Sequence, residues 1–133
     1  MNTELLRYIY IGAGGGIGAV LRYGLGGIVQ RLAGNTVLPW GTLMVNVSGC
    51  LVIGLLWELF EQRQVSSDIR VFCLIGILGG YTTFSSFAIE SRNLLVEGQY
   101  LQAAGNVLLS NVAGIVAVFA GIFITRACLA LFK

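Results

Sequence analysis

Charged residues are so sparse along this chain that they cut it into four apolar runs, each about as long as a helix must be to cross a bilayer. At 1.5 Å per residue, about 20 residues cover the roughly 30 Å of hydrocarbon. The first run covers residues 8–29 and is interrupted only by Arg22. The second lies between Arg31 and Glu58 and is entered through Pro39, a favoured residue type for a first helical position. The third, residues 71–89, is bounded by Arg70 and Glu90, and the fourth lies between Glu97 and Arg126. Composition agrees: 11% of residues are charged and 56% hydrophobic, where a soluble domain carries about 25% charged residues. The 133 residues leave room for one domain, 1–133, and for no separate soluble catalytic module. The expected fold class is an all-α integral membrane protein with four transmembrane helices.

Trp40 and Trp57 support the second span, since their separation is about 26 Å along a helix and would place one ring at each interface. The connectors, residues 33–38, 58–70 and 90–100, are short and polar, with Gly34-Asn35 and Gly98 as turn signals. A signal peptide is a poor reading of the first run, which contains Arg22, has Glu4 at its start and is followed by further spans. With four spans, both termini and the middle connector share a side that carries Arg7, Arg63, Arg70, Arg126 and Lys133. The other side has Arg31 and Arg92, with Arg22 leaning towards it. That is a soft positive-inside bias, and it leaves single and dual orientation both open.

Several function classes drop out. There is no histidine, and Cys50, Cys73 and Cys128 are odd in number and sit in apolar runs, as small buried hydrophobes rather than a disulfide framework. The net charge of +2 includes no basic cluster suited to nucleic acid. Gly14, Gly16 and Ala19 match a dinucleotide-binding spacing, but inside an apolar span with no preceding strand, so no organic cofactor is expected. The pairs Gly12/Gly16 and Gly14/Gly18 are better read as a helix face that a neighbouring backbone can approach. Asn46-Val47-Ser48 matches a glycosylation acceptor but falls mid-span, where no glycan could be added.

Polar groups at membrane depth must find partners in protein or in a water-filled cavity. Thr42, Asn46 and Gly49 share one helical face, and Asn106, Ser110, Gly114, Ala117 and Gly121 form a similar stripe. Interhelical hydrogen bonding with close packing would explain such stripes as well as a pathway would. The third run is more specific. Gly79-Gly80-Tyr81-Thr82-Thr83-Phe84-Ser85-Ser86-Phe87 joins two helix-weakening glycines to adjacent hydroxyls, which predicts a local break at the centre of the helix. Broken helices at this depth expose carbonyls and amides and often mark ion sites. Phe84 and Phe87 should point in similar directions after it. A bare ion in a low-dielectric medium costs tens of kcal/mol by Born estimates, and amide, hydroxyl and ring-edge hydrogens could replace the water around a small anion. Glu4, Glu58, Glu61, Glu90 and Glu97 all lie near span ends, which favours passive conduction over proton coupling. Arg22 is either a snorkelling anchor or a charge in an aqueous vestibule.

These residues resemble the Fluc (CrcB) fluoride channels of microorganisms. The resemblance covers essentially the whole chain and rests on Gly18 to Tyr23 (G-A-V-L-R-Y), Gly41 to Gly49 (G-T-L-M-V-N-V-S-G) and Gly79 to Phe87 (G-G-Y-T-T-F-S-S-F). It implies an antiparallel, dual-topology homodimer of four-helix subunits with two fluoride pathways between them. Asn46 would be the pore asparagine, and Phe84 and Phe87 the rings whose edges face fluoride. Thr42, Thr83, Ser85 and Ser110 would lie along a polar track, Arg22 in a vestibule and Glu90 at a pore end. Asn106 stands where many members have tyrosine, and Gly114 where some have a hydroxyl. The backbone carbonyls of Gly79 and Thr82 would hold a structural sodium at the dimer centre.

The expected function is a fluoride-selective passive channel that exports fluoride across the cytoplasmic (inner) membrane. Its partners would be fluoride, the lipid bilayer and a second copy of the chain. It would be neither an enzyme nor a nucleic-acid binder. The alternatives are a small multidrug/proton exporter, which would need a mid-span carboxylate, and a purely structural membrane subunit, which would pass no ion.

Overall fold

A computed structural model describes residues 3–131, and every regular element among them is helical. Helix α1 runs Thr3–Ala33 and α2 Trp40–Gln62. A third rod follows in pieces: α3 Ser67–Arg70, a π-helical segment Val71–Leu78, α4 Gly79–Tyr81 and α5 Phe84–Val96. Helix α6, Tyr100–Leu131, completes the chain. Three lengths, Trp40–Gln62, Ser67–Val96 and Tyr100–Leu131, are long and apolar enough to cross a membrane. Helix α1 has the length, but its many glycines and charges lower its hydropathy.

The helices outrun the apolar runs that announce them. Helix α5 continues through Glu90 to Val96, and α2 through Glu58 to Gln62. Glu90 therefore sits within the second half of its helix, which runs on to Val96. Pro39 is the residue before α2, not its first helical one; with no side-chain cap there, Gln30 on α1 reaches across so that its Oε1 accepts from the Gly41 amide at 3.1 Å. Gly34 (φ 72°) and Gly98 (φ 73°) supply the left-handed residues that end α1 and α5.

Glycine decides which helices meet. Helix α2 packs along α6, and α1 lies against the π-helical segment and α4. A methyl on Gly54 would overlap the Val118 carbonyl, and one on Gly121 the Leu51 carbonyl. On α1 the two glycine pairs part company. Gly14 and Gly18 abut the backbone of Phe72, Gly76, Ile77 and Gly80, while Gly12 and Gly16 face open space within the protomer. The close-approach reading thus holds inside one subunit for Gly14/Gly18 alone.

The core is small: Leu43, Val45, Phe60, Leu78, Phe87, Leu94, Ala103 and Ala117. Large apolar side chains such as Leu108, Val116, Phe119 and Phe123 cover the outside of α6, as suits lipid solvent. Near the helix ends, Glu58 is buried and holds Arg126 in a two-point pair at 2.9 and 3.1 Å, and Gln62 donates to it at 3.0 Å. Arg70 donates to the Phe60 and Val65 carbonyls, closing the end of α2. All three cysteines are free, but only partly as expected: Cys50 and Cys73 are half-buried, whereas Cys128 is exposed because it faces outwards from α6.

Gly18→Ala should lower the stability of the purified protein by about 1–3 kcal/mol through overpacking against backbone that cannot yield, whereas Gly12→Ala should be neutral or slightly stabilising. Equilibrium unfolding in detergent measures both.

Candidate functional site

Helical geometry stops at Thr82 and resumes at Phe84. Thr82 (φ −78°, ψ 157°) and Thr83 (φ −149°, ψ 118°) are extended. In a continuous helix the Thr83 amide would bond the Gly79 carbonyl; here it donates to Asn46 Oδ1 at 2.8 Å. Asn46 Nδ2 donates in return to the Thr83 carbonyl at 2.9 Å. One amide side chain therefore pairs both backbone groups of the residue at the break. Three further hydroxyl bonds tidy the ends. Thr83 Oγ1 accepts from the Ser86 amide at 3.2 Å and caps α5, Ser85 Oγ lies 3.3 Å from Thr83 Oγ1, and Thr82 Oγ1 donates to the Leu78 carbonyl at 3.0 Å.

Two cavities have Thr83 in their walls. One of about 540 Å³ is lined by residues including Arg22, Thr42, Thr83, Ser86 and Glu90. The other, about 310 Å³, is lined by residues including Asn46, Gly79, Thr82, Thr83 and Phe84. Arg22 leans over the break and donates to the Thr82 carbonyl at 3.4 Å, a long contact. Arg22 also forms part of the wall of the larger cavity. Thr42 donates to Glu90 Oε1 at 2.6 Å. Glu90 Oε2 is buried with no hydrogen-bond partner among the described residues.

The structure thus brings Asn46, Thr83 and Phe84 together on one side of the break, and Arg22, Thr42 and Glu90 on the other. The two phenylalanine rings lie beside each other, centroids 5.4 Å apart with a 51° tilt, but they differ in burial: Phe84 is 78% exposed while Phe87 is buried. Phe84 is the first residue of α5 and borders the smaller cavity, and Phe87 lies a turn further in, against the core. Asn106 is 2% exposed and lies between α5 and α6, where its Nδ2 donates to Ser91 Oγ at 3.0 Å. Ser110 lies one turn along, 3.5 Å from Asn106 Oδ1.

Ser91 and Gln30 were not legible as members of this network, whereas Ser86 stood in the hydroxyl-rich segment, three residues after the capping Thr83. Ser91, which also donates to the Phe87 carbonyl at 2.8 Å, and Gln30 gave no local signal.

Oxygen donors are what a hard cation takes. Among the described residues no group of His, Cys, Asp or Glu could hold a metal. The Gly79 carbonyl, released from its helical bond by Asn46, fits a cation. The Thr82 carbonyl fits less simply, because Arg22 already points a positive charge at it.

A family model described as CrcB-like protein, Camphor Resistance (CrcB), matches residues 9–122. A protein of Desulforapulum autotrophicum is 40% identical over 121 residues, covering 90% of this chain and 96% of its own. One of Salinibacter ruber is 44% identical over 88% of this chain and 87% of its own, and one of Rhizobium meliloti 43% identical over 96% and 98%. Each of the three carries the name fluoride-specific ion channel FluC.

Replacing Asn46 by Leu removes both bonds to Thr83 and leaves two backbone groups without partners. The expected loss is about 2–4 kcal/mol, with faster hydrogen exchange at the Thr83 amide; unfolding in detergent and amide exchange measure the two.

Proposed function

The chain belongs to the CrcB family, and from that premise we propose that it is a fluoride-specific channel, a multi-pass membrane protein that conducts passively. The observation that carries the reading is Thr83 at the helix break, which forms part of the wall of both cavities, one lined also by Arg22 and Ser86 and the other by Asn46. The family is one of ion channels, so no reaction is catalysed.

A small anion entering the 540 Å³ cavity meets the Arg22 guanidinium and the Ser86 hydroxyl, the Thr42 proton being given to Glu90 and that of Thr83 to Ser86. The positive charge raises its local concentration, and Thr42 and Thr83 serve once their hydroxyls turn from these partners to the ion. In the smaller cavity the available donor is the second N–H of Asn46, the first being spent on the Thr83 carbonyl. The positively polarised edge of Phe84 is exposed beside it. Asn106 and Ser110 on α6 would join the path only by giving up their present bonds to Ser91 and to each other. Fluoride, small and strongly hydrated, gains most from short bonds of this kind, and narrowness disfavours larger chloride.

The finer architecture that we propose has four spans, with α1 the first and the third broken at Thr82–Thr83 within the bilayer. Two copies insert antiparallel and pack so that each covers the other's Phe84 face. A sodium ion at the centre would be held by Gly79 and Thr82 carbonyls of both copies; when bound it supplies positive charge that offsets nearby anions and ties two irregular backbones. The location that suits such an exporter is the cytoplasmic membrane.

Purified protein in lipid vesicles should release fluoride and retain chloride, and Asn46→Asp or Phe84→Ile should abolish the release, as read by a fluoride electrode. Equal efflux of both halides, or undiminished fluoride flux in both variants, would refute the reading. Cross-linking of single-cysteine variants from both faces of the membrane tests the antiparallel arrangement.

A further inference from the structure

Helix α2 grips the break at three positions. Asn46 pairs with Thr83, Gly49 leaves room for the Thr82 methyl, and Ser48 Oγ lies 2.8 Å from the Tyr81 hydroxyl. Proton counting fixes the direction of the last bond. Ser48 has one hydroxyl proton, and its Oγ donates to the Val45 carbonyl at 3.1 Å. The phenol must therefore donate to Ser48, giving a chain from Tyr81 through Ser48 to the backbone of α2. One edge of the ring is set against α2: its Cδ1 and Cε1 atoms lie 3.2 and 3.4 Å from the point a Gly49 methyl would occupy. The Tyr81 backbone is set against α1, its amide nitrogen 2.7 Å from the corresponding point at Gly18.

We propose that Tyr81 and Ser48 are a positioning pair for ion conduction, an inference that rests on the fluoride-channel reading above. Tyr81 is the last helical residue before the extended dipeptide, so its orientation sets the direction in which Thr82 leaves α4. Asn46 fixes the far side of the dipeptide, and the phenol fixes the near side. A two-residue segment held at both ends keeps its peptide groups and the following Phe84 ring in one orientation. Held at one end only, it can rotate about the Thr82 and Thr83 dihedrals, and the wall that Thr83 gives to both cavities moves with it. Neither Tyr81 nor Ser48 is among the residues that line the two cavities.

The test compares wild type, Tyr81→Phe, Ser48→Ala, Ser48→Thr and the Tyr81→Phe/Ser48→Ala double variant in vesicles, with flux expressed per folded protein. Tyr81→Phe keeps the ring and removes only the bond. We expect Tyr81→Phe and Ser48→Ala each to slow fluoride efflux roughly fivefold, the factor one net hydrogen bond commands, the double variant to be no slower than the worse single one, and Ser48→Thr to restore the rate. Unchanged efflux in Tyr81→Phe, losses that multiply in the double variant, or a lowered unfolding temperature with unchanged flux per folded protein would each overturn the proposal while leaving the channel reading intact. A wild-type protein that passes no fluoride would overturn that reading, and this inference with it.

Discussion

The paired hydrogen bonds between the Asn46 side chain and the backbone of Thr83 are the interaction on which the rest of the site depends. In hydrocarbon, an amide or carbonyl without a partner costs several kcal/mol, so a helix cannot simply stop partway across. An asparagine carries both a donor and an acceptor at the right separation to imitate a neighbouring backbone, and so it can satisfy an extended residue that no strand accompanies. The local cap from Thr83 to Ser86 then restarts the helix. The exchange frees the Gly79 carbonyl from the Thr83 amide and sets Thr83 in the walls of two cavities. Both features of the break follow from a single side chain on a different helix.

That arrangement requires α2 and the third rod to lie unusually close, and α1 to support them from the other side. Glycine provides both approaches. Gly49 accepts Thr82 and Tyr81, and Gly14 and Gly18 accept the π-helical segment and α4. Apolar side chains gain little by leaving lipid for protein, so the attraction must come from close packing and from the hydrogen bonds that it permits. The π-helical segment contributes as well, since its wider turn precedes the glycines and brings Gly76 and Gly80 onto the face that meets α1.

Much of the site was legible because polar residues in an apolar run have so few explanations. Asn46, Thr82 and Thr83 stood out for that reason, and the double glycine marked the region where helical geometry gives way. What the sequence did not convey was depth and direction. Glu90 marked the end of an apolar run, yet a helix continues past a charge when that charge has a partner such as Thr42, so the run length underestimates the helix. Phe84 and Phe87 share a face by periodicity, but burial depends on neighbouring helices that a local pattern does not contain. The Ser48–Tyr81 contact joins residues distant in the chain, and Ser48 looked like part of a false glycosylation signal rather than a support. Cys128 failed in the same way as Phe84: apolar surroundings in sequence identify membrane depth, and not which face of the helix looks inwards.

Glu90 shares the larger cavity with Arg22. Thr42 donates to one of its oxygens, and the other is buried with no partner among the described residues. On the channel reading proposed above, conduction needs binding strong enough to replace hydration and weak enough to permit exit, and a guanidinium alone would serve the first need better than the second. Among the described residues no Asp, Glu, Lys or Arg lines the smaller cavity, where Asn46 contributes an amide. A wall that passes from one charged group to neutral dipoles is what that reading asks of a passive path, and what a protein built to bind an anion tightly would avoid.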